Sequence, residues 1–184
     1  KCTAVAICDG DAWLAHVGDS RAYLLRDGAM TQLSEDQTLV AQMVREGQLS
    51  PEEARNSPVS NGILQALGPN AEVVPVVWSE PLKLAADDVV VLCTDGLTGV
   101  VPDRIIAQHA GTLPPDEACE ALIHAAHAGG APDNVSVGVF RLMAATDLSA
   151  ADESPNPAGT TRRVKYVSDE ATDRSSRQTR KVNL

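Results

Sequence analysis

The sequence predicts an α+β fold in which antiparallel sheet is buried by helices. Three observations lead there. Apolar runs of strand length crowd the first third of the chain, with Asp-Gly pairs between them. Helical periodicity takes over in the middle and returns before the end. A last apolar strand closes the pattern. Strands grouped apart from helices argue for α+β rather than for alternating βαβ units.

The elements follow in order. TAVAIC and AWLAHV are separated by Asp9-Gly10-Asp11. Asp-Gly between such runs is a hairpin signal, because both residues tolerate positive φ. RAYLLRDG closes a third strand on Asp27-Gly28, with AMTQL as its partner, so these four runs are expected to form one antiparallel meander. The period then changes. SEDQTLVAQMVREG puts Leu39, Val40, Met43 and Val44 on one helical face, with Gly47 as C-cap. In LSPEEAR, Ser50 caps, Pro51 takes the first helical position and Glu53 completes a capping box. EVVPVVW is a strand whose Pro75 belongs near an edge or bulge. Asp87-Asp88 precede the strand VVVLCT, and a turn is expected at Asp95-Gly96. Pro102 and Asp103 open a helix carrying Ile105 and Ile106. Residues 115–128 form a longer one, stopped by Gly129-Gly130, and NVSVGVF is the final strand. Periodicity ends after about residue 143. Residues 144–184, rich in Ser, Thr, Asp and Arg, read as a disordered tail or linker.

Bulk properties narrow the function. The 184 residues leave room for one domain with a substantial core. Aromatics are only 3%, so that core must be Val, Leu, Ile and Ala. Cys2, Cys8, Cys93 and Cys119 form no C-x-x-C pair and are expected to be reduced, mostly buried thiols rather than a zinc site. Net charge is −10, and the first 150 residues hold eight Lys/Arg against twenty Asp/Glu. Such a body argues against a nucleic-acid surface, which needs clustered Lys and Arg, and suits a protein that holds cations. No apolar run approaches the ~20 residues of a membrane span and no charged-then-apolar leader is visible, so a cytoplasmic location is expected. The strand pattern is under way by the third residue after Lys1. An upstream part of the domain is therefore expected; the alternative is a leader removed before a complete domain.

Three acidic turns carry the chemistry: VGDSRAY (Asp19), CTDGLTG (Asp95) and PDNVSV (Asp133). Each alone has a plain structural explanation, since Asp favours turns by bonding the backbone two residues on. Together they mean more. Two carboxylates about 4 Å apart repel by roughly 4 kcal/mol at an effective dielectric of 20. Strand ends that brought them together would need a cation, and hard oxygen donors favour Mg²⁺, Mn²⁺ or Ca²⁺ over zinc. Spacing does not itself establish that convergence. Other motifs compete. Gly18-Asp19-Ser20 suggests a lipase-type serine hydrolase, but a strand follows Ser20 and no Asp-x-x-His occurs. His124 and His127 sit at metal-binding spacing on a helix without a third ligand, which reads as an exposed face. Trp13 and Trp78 read as packing residues. TTRRVKY in the tail reads as solvated linker, with a docking peptide as the alternative.

VGDSRAYLLRDG, LSEDQTLVAQMVREGQLSPEEARNSP, QALG, VVVLCTDGLTGVV and APDNVSVGVF resemble, in order and spacing, the bacterial branch of protein phosphatase 2C. These are the PPM, or metal-dependent, serine/threonine phosphatases. The resemblance covers residues 1 to about 143 and implies a C-terminal portion of that domain. The implied fold is a sandwich of two antiparallel sheets flanked by helices, with two Mn²⁺ or Mg²⁺ ions at one end. It implies Asp95 and Asp133 as ligands of one ion and Asp19 as a ligand of an additional, weaker one. Asn134 would support the Asp133 loop. Residues 37–61 match a flap beside the active site. The implied chemistry is hydrolysis of phosphoserine and phosphothreonine by a metal-activated water, with no protein nucleophile. Phosphoproteins and a cognate kinase are the implied partners. The phosphate-gripping arginine and the bridging Asp-Gly motif of the family are expected upstream of Lys1. Gly99 stands where the family commonly has another aspartate, which counts against the third ion. Gln37, Ser57 and Ser60 replace frequent flap residues. A non-catalytic binding module remains the alternative, since two ligands without the bridging one should hold metal poorly.

Overall fold

Asp9 and Gly10, at φ 50° and 81°, turn the chain between strands β1 (Cys2–Cys8) and β2 (Asp11–Val17). The pair is antiparallel from Cys2↔Val17 to Cys8↔Asp11. Asp27 and Gly28, at φ 51° and 76°, do the same between β3 (Arg21–Arg26) and β4 (Ala29–Gln32). The fold is a computed structural model that describes residues 1–59, 62–68, 72–131 and 133–143. The expected tail, 144–184, and the flap's last two residues, Ser60 and Asn61, lie outside the described residues.

Both hairpins form where the Asp-Gly pairs predict them, but they do not make one meander. In one sheet, β2 pairs with β1, β5 (Val76–Val77) and β6 (Leu82–Lys83). In the other the order is β4-β3-β7-β8, with β7 at Val89–Cys93 and β8 at Val137–Arg141. The chain changes sheets between Val17 and Arg21. Gly18 makes the change possible, because its φ of 112° is closed to most residues with a Cβ. The periodicity of two adjacent strands is the same whether they pair or part, so the crossover was not visible in the pattern.

Helices α4 (Asp103–Thr112) and α5 (Pro115–Ala128) cover the second sheet. Tyr23, Leu25, Val89, Val91 and Cys93 pack with Leu97, Ile106, Ala110, Ala118, Leu122 and Ala126 in one core. The alternate residues of those strands, Ala22, Leu24 and Val90, are buried as well, as are Ala12 and Leu14 of β2. Burial on both faces explains the unbroken apolar run of β7, and two sheets with buried faces make the α+β sandwich.

Smaller elements refine the expectations. Helix α1 (Leu39–Arg45) starts at Thr38, whose Oγ1 accepts from Ala41 N at 3.2 Å, and ends ahead of Gly47 at φ 71°. Of its expected apolar face only Val40 is buried; Met43 and Val44 are half-buried and Leu39 is exposed. Helix α2 (Pro51–Arg55) has the predicted capping box: Ser50 Oγ accepts from Glu53 N at 3.2 Å and Glu53 Oε2 from Ser50 N at 2.8 Å. The turn expected at Asp95-Gly96 is a short helix, α3 (Asp95–Thr98). The thiols are all free, but Cys2 and Cys8 are exposed rather than buried, because β1 is an edge strand whose Cys2–Ala4–Ala6–Cys8 face has nothing over it among the described residues. No helix among the described residues is long and apolar enough to cross a membrane.

Candidate metal centre

Asp19 sits in the sheet crossover, which is held from two sides. Buried His16 donates from Nε2 to the Gly18 carbonyl at 3.0 Å, while its Nδ1 lies 2.8 Å from Thr3 Oγ1. The Thr3 hydroxyl also lies 2.8 Å from the Ser20 carbonyl oxygen. On the other side Gly18 N donates to Gln37 Oε1 and Gln37 N donates to Gly18 O, both at 2.8 Å. Gln37 thus locks the start of the flap to the crossover, a role its place in the sequence did not suggest. Arg21 anchors the next residues, binding Asp36 with Nε at 3.0 and 3.1 Å and with Nη2 at 2.7 Å.

Asp95 and Asp133 are placed by β7 and β8. Their last rung is Cys93↔Val137. Beyond it Thr94 N donates to Ser136 O at 3.0 Å, Ser136 N donates to Thr94 Oγ1 at 3.0 Å, and the Thr94 hydroxyl donates to Asn134 O at 3.3 Å. These three bonds carry the ladder past the sheet and keep the two acidic loops side by side. Gly96 lets them close: a Cβ there would overlap the Asn134 carbonyl oxygen and lie 2.9 Å from its carbon. Its φ is negative, so close approach, and not turn geometry, is what requires glycine here.

The structure brings Asp19 and Asp95 together on a cation of the chain's own. Lys1 Nζ lies 2.8 Å from Asp19 Oδ1 and 2.6 Å from Asp95 Oδ2. The first contact is an ion pair without hydrogen-bond alignment; the second is a full hydrogen bond. Partial burial pulls the Lys1 pKa down, but Asp19 and Asp95 outweigh it and hold the ammonium above the ordinary lysine value. Asp133 does not share this contact. It is exposed, and its Oδ1 accepts from Asn134 N at 2.7 Å. Among the described residues no three His, Cys, Asp or Glu side chains close on one point.

The donor chemistry nonetheless suits a hard cation. Among the described residues Asp95 Oδ1 and Asp133 Oδ2 carry no protein hydrogen bond, which leaves one oxygen on each acid. Carboxylate oxygens are what Mn²⁺ and Mg²⁺ take, and two of them are a share of the six such ions need. Asp95 and Asp133 therefore fit part of a metal site. Asp19, committed to Lys1, does not fit in this arrangement.

No family model matches the chain. Individual proteins do. The chain is 40% identical over 141 residues, or 77% of its length, to the serine/threonine protein phosphatase PstP of Mycobacterium tuberculosis. Its fold superposes on a crystal structure of that phosphatase with a TM-score of 0.73 at 39% identity, covering 77% of this chain and 59% of the other. The PstP catalytic domain in complex with two manganese ions gives a TM-score of 0.66 at 37% identity, covering 77% of this chain and 58% of that one.

The chain belongs to the protein phosphatase 2C family.

It spans 27% of the length of the mycobacterial relative. The geometry bears on the competing motifs within residues 1–143, while TTRRVKY lies outside the described residues. Ser20 runs directly into β3, not into the helix that a lipase-type serine needs. His124 and His127 are both exposed on α5. Trp13 and Trp78 are half-buried. Gly99 is exposed at φ −70°, and its N–H donates to the Asp95 carbonyl at 2.8 Å.

Proposed function

We propose that residues 1–143 form part of a metal-dependent protein-serine/threonine phosphatase domain, with Asp95 and Asp133 as ligands of one ion of a Mn²⁺ or Mg²⁺ pair. The observation that carries this reading is the stitch of three hydrogen bonds from Thr94 to Asn134 and Ser136, which holds both acids at one end of paired strands. Bound metal would supply an activated water and positive charge for the developing phosphate oxyanion. The residues here hold position. β7 and β8 act as rigid posts, Thr94 sets the spacing of the loops, and Asn134 N binds one oxygen of Asp133 and leaves the other without a protein hydrogen bond among the described residues. Cys93 is no competing nucleophile, since burial pushes its thiol up to about 12. A phosphate-holding arginine and a further carboxylate are assigned to the part of the domain that these residues do not cover.

The substrates on this reading are phosphoserine and phosphothreonine proteins, opposed by a serine/threonine kinase in the cytoplasm, with the 37–61 segment beside the substrate. The names of the similar proteins support the reaction; the acidic body and the absence of clustered Lys and Arg in residues 1–143 fit a protein substrate better than nucleic acid. The test is hydrolysis of p-nitrophenyl phosphate and of phosphopeptides by the full-length protein with Mn²⁺. Asp95→Asn and Asp133→Asn should each lower the rate roughly a hundredfold or more with an unchanged circular dichroism spectrum. A wild-type rate for Asp133→Asn at limiting Mn²⁺ would reduce that residue to a turn former.

A further inference from the structure

Asp19 and Asp95, carboxylates from different parts of the fold, meet on one cation, and that cation is a lysine. Three features show that the contact is built into the fold. Lys1 Nζ reaches both acids at hydrogen-bonding range, 2.8 and 2.6 Å. Its aliphatic stem runs across Gly18, where an added Cβ would stand 2.9 Å from both Lys1 Cβ and Cγ. Asp19 is 8% exposed, so its charge is mostly withdrawn from water and depends on a partner. Gly18 therefore does two things: it turns the chain between the sheets and opens the channel through which the lysine arrives.

We propose that Lys1 is a resident cation that replaces an additional metal ion between Asp19 and Asp95. An ammonium and a divalent ion cannot occupy one position, and the ammonium is tethered at permanent high local concentration. The lysine draws on one oxygen of Asp95 and leaves Oδ1 without a protein hydrogen bond among the described residues. Asp95 can thus serve the lysine and the proposed metal pair together, whereas Asp19 serves only the lysine. The inference concerns the number of ions at the proposed centre; it rests on geometry at Asp19 and needs the pair itself only for the absolute count.

The test counts Mn²⁺ bound per chain in the full-length protein, by isothermal titration and by electron paramagnetic resonance of free Mn²⁺, in wild type, Lys1→Met, Lys1→Arg, Asp19→Asn and Lys1→Met/Asp19→Asn. The expected result is one additional Mn²⁺ in Lys1→Met, erased in the double variant and not seen in Lys1→Arg. Asp19→Asn alone should keep the wild-type count. An unchanged count in a folded Lys1→Met protein overturns the proposal, and so does the loss of one ion in Asp19→Asn. The Asp19→Asn arm decides the matter if Lys1→Met fails to fold. The two-metal reading is judged separately, by the wild-type count and its fall in Asp133→Asn. A wild type that binds no Mn²⁺ beside a Lys1→Met protein that binds one would sink that reading while supporting this one.

Discussion

Gly96→Ala isolates the closeness of the two acidic loops. Gly96 has a negative φ, so alanine brings no backbone strain. In an ordinary helix the change would help by up to about 1 kcal/mol, but α3 has only four residues and the gain lies at the low end. Against it stands the Asn134 carbonyl, which a Cβ would overlap, with Val135 Cγ2 a further 3.4 Å contact. Backbone cannot swing aside as a side-chain tip can. Overpacking of this kind costs about 1–3 kcal/mol, so a net loss of roughly 1–2 kcal/mol is expected. The relief route is to push the 133–136 loop away from α3, which lengthens the Thr94 bonds and separates Asp95 from Asp133. Mn²⁺ affinity should therefore fall by roughly tenfold or more, in the range seen when residues that orient metal ligands are disturbed. Urea unfolding monitored by circular dichroism and Mn²⁺ titration of the same preparation read both quantities. Gly99→Ala is the control: Gly99 is exposed and a Cβ there would meet only the Asp95 carbonyl, at 3.0 Å, so a change within about 0.5 kcal/mol is expected. A Gly96→Ala protein with wild-type stability and wild-type Mn²⁺ affinity would refute the reasoning that close approach sets the site.

Thr94→Val keeps the shape and removes two of the three stitching bonds; stability should drop by about 1–2 kcal/mol, with Mn²⁺ affinity falling alongside it in titration. Leu122→Ala empties a fully buried position between α5 and the sheet, and a loss of about 2–5 kcal/mol in urea unfolding is expected with no specific effect on metal affinity. Ellman's reagent should label Cys2 and Cys8 quickly in the native protein, while Cys93, its thiol raised to about 12 by burial, reacts only on unfolding. Asp88 receives Arg26 at 2.8 and 2.6 Å and the Ala85 N–H at 2.7 Å, and the Arg26 bond, against the opposing effect of burial, holds its pKa below the ordinary 3.8. A depressed folded pKa means that its stabilisation is present above about pH 4 and is lost as pH falls through the folded value. Acid unfolding of Asp88→Asn should accordingly be less steep than that of wild type in that low-pH window.

Elements with a strong local cause were legible in the sequence. Asp9-Gly10 and Asp27-Gly28 announced both hairpins, Ser50 and Glu53 their capping box, and Gly129-Gly130 the end of α5. Features set by distant partners were not. Nothing near Gly18 says that β2 and β3 join different sheets, because the deciding partners, Val76 and Cys93, are far along the chain. Gly96 read as a turn residue because its constraint comes from Asn134. The same holds for the site. Asp95, Asp133 and Asp19 stood out as acids at strand ends, but Lys1, Gln37 and Thr94 act across 94, 19 and 40 residues respectively and have no local pattern to betray them.

The crossover at Gly18 has a mechanical consequence. One continuous length of backbone passes from the first sheet into the second, and Gln37 and His16 pin it on either side. Sliding one layer over the other by a single strand residue is a displacement of about 3.3 Å, larger than any of the contacts around Lys1 and Asp19 can absorb. The acid thus registers the alignment of the two layers: sandwich shear and charge pairing are one coordinate, and the sheets are keyed to each other like a shaft and hub at the point where the chain changes sides.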